Sequence, residues 1–115
     1  MRKIEYSQIA RRKLKIVRSD LTFKYGDVFS KKTVGEMTSA IRKLAQFSDS
    51  GVRIANIYDV DTDYYYIFVN QNYFIYRIEP ESVIIVNIFN EKEDFMTKLF
   101  GISGRTQESI DYWRE

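Results

Sequence analysis

Arg77 is the side chain from which any site for a phosphate or carboxylate on the C-terminal half of this chain would start. In the stretch "DYYYIFVNQNYFIYR", residues 63–77, it alternates in phase with Tyr64, Tyr66 and Tyr73. A guanidinium among phenols can clamp an anion while a base or a peptide stacks on the rings. Further on, "FNEKED" brings together Lys92, Glu93 and Asp94. The chain contains neither histidine nor cysteine. That removes the usual proton carrier near neutral pH, a thiolate nucleophile, disulfides and Cys-based metal sites. "DVDTD" spaces Asp59, Asp61 and Asp63 like the start of an EF-hand loop, but Tyr64 stands where glycine is needed and Asn70 where the closing glutamate belongs. No metal and no cofactor is expected.

The elements that position these residues follow from periodicity. "KIEYSQ" reads as a first strand. Ser7 is a plausible N-cap for an amphipathic helix carrying Ala10, Leu14, Val17 and Leu21 on one face and Arg11, Arg12, Lys15 and Arg18 on the other, ending near Tyr25-Gly26. A second helix starts between Asp27 and Ser30, with its apolar line predicted along Phe29, Thr33, Met37, Ile41, Leu44 and Phe47. The two form an antiparallel hairpin. "VRIANIY" is a weaker strand, and "YYYIFV", "YFIYRI" and "VIIVNIF" make an antiparallel meander. A short helix closed by Gly101 follows, and residues 103–115, including Ile110, Tyr112 and Trp113, form a polar tail after a domain of residues 1–102. The predicted architecture is α+β: an N-terminal strand and a helical hairpin packed on one face of a twisted antiparallel sheet.

Strand alternation sorts the meander into two faces. Tyr65, Ile67, Val69, Phe74, Tyr76, Ile78, Ile84, Val86 and Ile88 are expected against the helices; Tyr64, Tyr66, Phe68, Tyr73, Ile75, Arg77, Val83, Ile85, Asn87 and Phe89 are expected on the opposite face. Arg77 decides the orientation, because an unpaired guanidinium beneath two helices is costly. The opposite face is either ordinary packing beneath the C-terminal segment or a platform for a ligand.

At 115 residues and 44% hydrophobic composition the chain suits one compact domain with a modest core. Net charge is +2, but unevenly spread: residues 1–32 hold ten basic and three acidic side chains, residues 33–115 eight and thirteen. The basic end suits a polyanion or an acidic protein, with Arg11, Arg12 and Lys15 as candidate contacts, or is a solvated helix face. The N-terminus lacks a signal-peptide core and no apolar run reaches the roughly 20 residues of a membrane helix, so a soluble cytoplasmic protein is expected.

"YFIYRIEPESVIIVNIFNEKEDF" resembles the signature of the RelE/ParE toxin superfamily of type II toxin–antitoxin systems. "SQIARRKLKIV" and "AIRKLAQFSDSG" also fit, with Ser48 where the family usually has proline. The resemblance covers about residues 4 to 100. It implies a cognate antitoxin that wraps the toxin, and one of two mechanisms. RelE-like members cleave mRNA in the ribosomal A site with basic residues on the sheet face; ParE-like members poison DNA gyrase by binding. In this chain the two lysine positions of the nuclease are Tyr64 and Tyr66, an arginine position is Tyr73, and a later arginine position is Glu93. Three phenols and a carboxylate thus replace four cations, with Arg77 and Lys92 the nearby positive charges. Since phosphodiester cleavage needs positive charge aimed at the developing phosphorane, this pattern favours a toxin acting by binding. The alternatives are an mRNA interferase using Tyr64, Tyr66, Tyr73, Arg77 and the Asn90 to Asp94 cluster, with a tyrosine as general acid or base, Glu93 or Asp94 as base and Arg77 as electrostatic clamp, and a partner-binding protein without toxicity. A homodimer is compatible with each.

Overall fold

The computed structural model describes residues 1–101. The expected tail, with Ile110, Tyr112 and Trp113, lies outside the described residues.

Two helices lead. Ser7 caps α1 (Gln8–Tyr25): its Oγ accepts the Ala10 N–H at 3.0 Å. The same hydroxyl donates to the Val86 carbonyl at 2.8 Å, tying the start of the helix to the sheet. Ala10 is fully buried, while Leu14 and Val17 pack at the edge of the core. Gly26, at φ 88°, ends α1 by donating its N–H to the Thr22 carbonyl at 2.9 Å. That left-handed φ lets α2 (Asp27–Arg42) start at the next residue. Ser30 is buried at the crossing and donates its hydroxyl to the Arg18 carbonyl at 3.2 Å.

The inward stripe of α2 is Ser30, Thr33, Val34, Met37 and Ile41. This corrects the predicted line: Phe29 and Phe47 are exposed and Val34 is buried. Starting α2 directly after Gly26 with the small Ser30 beneath α1 fixes its rotation, so Phe29 is turned aside. After Arg42 the helix tightens into a 3-10 turn, Lys43–Ala45, whose Leu44 stays in the core.

The sheet has five strands in the order β1-β5-β4-β3-β2. These are β1 (Lys3–Tyr6), β2 (Val52–Arg53), β3 (Tyr65–Val69), β4 (Asn72–Ile78) and β5 (Ser82–Asn90). Three of the four pairings are antiparallel, and β1 lies parallel to β5. The strand expected in "VRIANIY" shrinks to Val52–Arg53, because the chain turns into a 3-10 segment at Ile54–Asn56 that buries Ile54. The β3–β4 turn is Asn70-Gln71, with φ 48° and 63°. Two successive left-handed residues match the right-handed twist of a two-residue hairpin.

One irregularity redistributes the faces. Ile75 pairs with Asn87 but Tyr76 pairs with Ile85, leaving Val86 as an extra residue in β5. The bulge reverses the alternation upstream of it. Val83 and Ile85 therefore join the core under the helices, contrary to expectation, and Val86 packs on the other side. The assignment for β3 and β4 holds: Tyr65, Ile67, Phe74 and Tyr76 meet the helices, while Tyr66, Tyr73 and Ile75 take the far face.

That far face is partly covered, with Phe68 exposed and Tyr64, Tyr66, Tyr73 and Arg77 half-buried. Asp94 caps α3 (Phe95–Phe100), accepting the Thr97 N–H at 3.2 Å, and Gly101 at φ 70° closes the helix. Phe95 and Met96 are buried against Ile54, Ile75 and Phe89. No helix among the described residues is long and apolar enough to cross a membrane.

Candidate functional site

The far face divides into two ends along β4. At one end Tyr73 sits among rings: its centroid lies 5.2 Å from Tyr66, 4.7 Å from Phe68 and 5.0 Å from Phe95. Tyr58, carried in by the turn after Ile54, meets Phe95 edge-on at 5.9 Å. Burial, then the neighbouring Tyr66, Tyr73 and Asp94, push the Tyr58 phenol above its ordinary pKa, and burial does the same for Tyr66. These phenols stay protonated near neutral pH. A shallow pocket here is lined by Tyr58, Tyr73, Glu91, Lys92, Glu93 and Asp94.

The carboxylates of that pocket are held by their own segment. Glu93 accepts the Asn90 N–H at 2.7 Å and the Lys98 ammonium at 2.6 Å. Burial alone would raise its pKa, but the Lys98 and Asn90 hydrogen bonds and the Lys13 charge hold it below the usual carboxylate range. Asp94 spends both oxygens on Thr97, the second at 2.8 Å from Thr97 Oγ1. Glu93 is thus a poor proton acceptor, and Asp94 is a helix cap.

Arg77 lies at the opposite end. Four residues along an extended strand separate its Cα from that of Tyr73 by about 13 Å. Its Nε donates to Glu79 Oε1 at 2.9 Å, a bond that raises the guanidinium's pKa and keeps it charged. The depression beside it is lined by Asp61, Asp63, Tyr64, Leu99 and Phe100. Tyr64 packs on Phe100 at 6.2 Å between ring centroids. The fold therefore brings Tyr66, Tyr73, Lys92, Glu93 and Asp94 to one end and leaves Tyr64 and Arg77 at the other. Arg11, Arg12 and Lys15 are exposed on α1, across the sheet from both ends.

Lys13 escaped the sequence reasoning. Its ammonium sits 3.9 Å from the centroid of the Phe89 ring, and burial draws its pKa below the ordinary value against the opposing pull of Glu93. The available signal was its spacing three residues after the buried Ala10, which sets it at the inner edge of a basic helix. Tyr58 carried no signal, because only the turn at Ile54–Asn56 aims it at the sheet.

A second concavity runs between the helical hairpin and the β3–β4 turn. It encloses about 730 Å³; its floor is apolar, with Ile16, Val17, Leu21, Phe29, Met37 and Ile88, and its rim is charged, with Lys13, Asp20 and Lys24 on α1 and Glu91, Lys92 and Glu93 shared with the Tyr73 pocket.

The chain has a ParE-like architecture: a solved chain described as "Chromosomal ParDE TA system from P. aeruginosa" superimposes with a TM-score of 0.64, at 13% sequence identity. The match covers 78% of this chain and 96% of that one. At that identity the likeness is one of fold. No family model and no curated protein matches the sequence.

Proposed function

We propose that this chain is the toxin of a type II toxin–antitoxin pair, that it arrests growth by binding an essential protein in the ParE manner, and that a cognate antitoxin neutralises it. DNA gyrase is the first target to test. One observation carries the preference for binding over cleavage: the sheet face that would have to hold RNA is partly covered by α3 and edged by carboxylates. Asp61 and Asp63 stand beside Arg77, and Glu91, Glu93 and Asp94 beside Tyr73. Such edges repel a polyanion: among the described residues Lys92 is the cation that lines the Tyr73 pocket, while Lys98 and Lys13 act on its Glu93 and leave Glu91 and Asp94 as the acidic edge. An interferase would need its clamp and its acid–base pair around one phosphate, whereas the Cα atoms of Arg77 and Tyr73 are about 13 Å apart along the strand and the Arg77 guanidinium turns to Glu79. The concavity between hairpin and sheet, which shares Glu91, Lys92 and Glu93 with the Tyr73 pocket, offers the neutralising partner a seat that reaches the edge of this face.

The test is induction of the full chain without its neighbouring gene, followed by viable counts, mRNA integrity and DNA supercoiling. Growth arrest with intact mRNA, gyrase-linked DNA breaks and an Arg77→Ala variant as toxic as the wild type is the expected result. Ribosome-dependent mRNA cuts that vanish in Arg77→Ala would replace this reading with cleavage. Normal growth at good expression would leave a protein that only binds its partner.

A further inference from the structure

The helical hairpin ends in a convex apolar tip that the fold itself does not use. Phe23 is 90% exposed and Val28 86% exposed, and Tyr25 and Phe29 are also exposed. All four stand within one helical turn of Gly26, and the Tyr25 and Phe29 rings touch at 4.8 Å. Tyr25 and Phe29 lean toward the concavity beside the sheet, but Phe23 and Val28 line neither that concavity nor either hydrophobic core. Single exposed apolar residues are ordinary, but a Phe and a Val projecting together from the end of a rigid hairpin form a patch.

Charge selects what could cover it. Arg18, Lys24, Lys31 and Lys32 surround the tip and are exposed, against Asp20 and Asp27. Asp20 and Lys24 pair with each other at 3.1 Å, which leaves Arg18, Lys31 and Lys32 against Asp27. A second copy would bring two such basic collars together, which like charges oppose. Nucleic acid would satisfy the lysines but offers little to a projecting phenylalanine and valine on a duplex or backbone. A bilayer would have to take Asp27 to the interface beside Val28. A protein pocket with an apolar floor and an acidic rim answers both features at once, as interface anchors commonly do.

Resting on the growth-arrest reading above, we propose that the hairpin tip is the surface that contacts the target, with Phe23 and Val28 as anchors. The partner is a protein surface bearing an apolar pocket rimmed by carboxylates. Lys31 and Lys32 meet the rim, and the concavity beside the sheet stays free for the neutralising partner.

The experiment compares the wild type with Phe23→Ser/Val28→Ser, Lys31→Glu/Lys32→Glu and the control Ile9→Ser, each induced as the full chain. Ile9 is exposed on α1 away from the tip. Loss of an anchor weakens binding by about tenfold or more. Both tip variants should therefore inhibit growth only at expression levels about tenfold or more above those that suffice for the wild type and for Ile9→Ser, with unchanged melting temperature. Tip variants that arrest growth at wild-type levels overturn the inference alone. A wild type that does not arrest growth overturns the functional reading and the inference together. Tip-dependent sedimentation with phosphatidylglycerol vesicles, or a dimer in light scattering that the tip variants abolish, overturns the protein partner in favour of a bilayer or a second copy.

Discussion

Tyr76→Phe removes one oxygen from the centre of the fold, and its cost can be worked from the geometry. The Tyr76 ring has no exposed surface and stacks on Tyr65 at 5.4 Å between centroids. Its hydroxyl donates to the Ser48 carbonyl at 2.7 Å and accepts the Gly51 N–H at 3.1 Å. The phenol thereby closes the 3-10 turn Ser48–Ser50 onto the sheet just before β2 begins. Gly51 is confined by the same contact: a Cβ there would collide with the Tyr76 hydroxyl and come within 2.7 Å of the Tyr66 carbonyl. Phenylalanine keeps the ring and strands one buried carbonyl and one half-buried N–H, which should cost about 2–3 kcal/mol. For a chain of this size that lowers the melting temperature by roughly 8–15 °C.

The same residue gives a pH signature. Burial pushes the Tyr76 phenol from 10.0 up to about 12. Because the folded value lies above the unfolded one and ionisation creates the charge, the contribution is constant below pH 10 and is lost as pH rises toward 12. At pH 11 the loss amounts to about 1.4 kcal/mol. Urea denaturation followed by far-UV circular dichroism at about pH 9 and about pH 11 measures it directly. Tyr76→Phe should show a shallower alkaline decline than the wild type, with the remaining slope due to Tyr6, Tyr58 and Tyr66, which burial also raises. A variant within about 0.5 kcal/mol of wild type at neutral pH, or with a parallel pH profile, refutes the reasoning.

Two further substitutions test how the sheet is held from either side. Ser7→Ala deletes the α1 cap and the bond to the bulge carbonyl of Val86, and should destabilise the chain by about 1–2 kcal/mol in the same urea assay, whereas Ser7→Thr should restore most of it. Phe95→Ala empties a site bounded by Tyr58, Tyr66, Tyr73 and Phe89; about 3 kcal/mol or more is expected, and because α3 is short the loss should appear first as faster hydrogen exchange at residues 95–100, with the helical hairpin still protected.

The order of elements was legible from local chemistry. Ser7 as a cap, Gly26 and Gly101 as helix stops, and the alternating runs of β3 and β4 each act over a few residues, so composition and spacing suffice to place them. That Tyr64, Tyr66, Tyr73 and Glu93 are phenols and a carboxylate was also plain in the sequence, whereas their reading as replaced cations rests on the resemblance. What no local pattern could supply was the bulge at Val86, which moved Val83 and Ile85 under the helices. Its cause lies in register between β4 and β5 and in the Ser7 hydroxyl, a residue remote in sequence. The rotation of α2 was equally hidden, since it depends on Ser30 meeting the Arg18 carbonyl. Most consequential is the separation of Arg77 from Tyr73, Glu93 and Asp94. Alternation correctly put Arg77 and Tyr73 on one face, but a face extends along the strand as well as across it. Only the tertiary structure, by seating α3 over that face and pairing Arg77 with Glu79, decided that these residues form two separate ends and that the unused apolar surface lies at Phe23 and Val28.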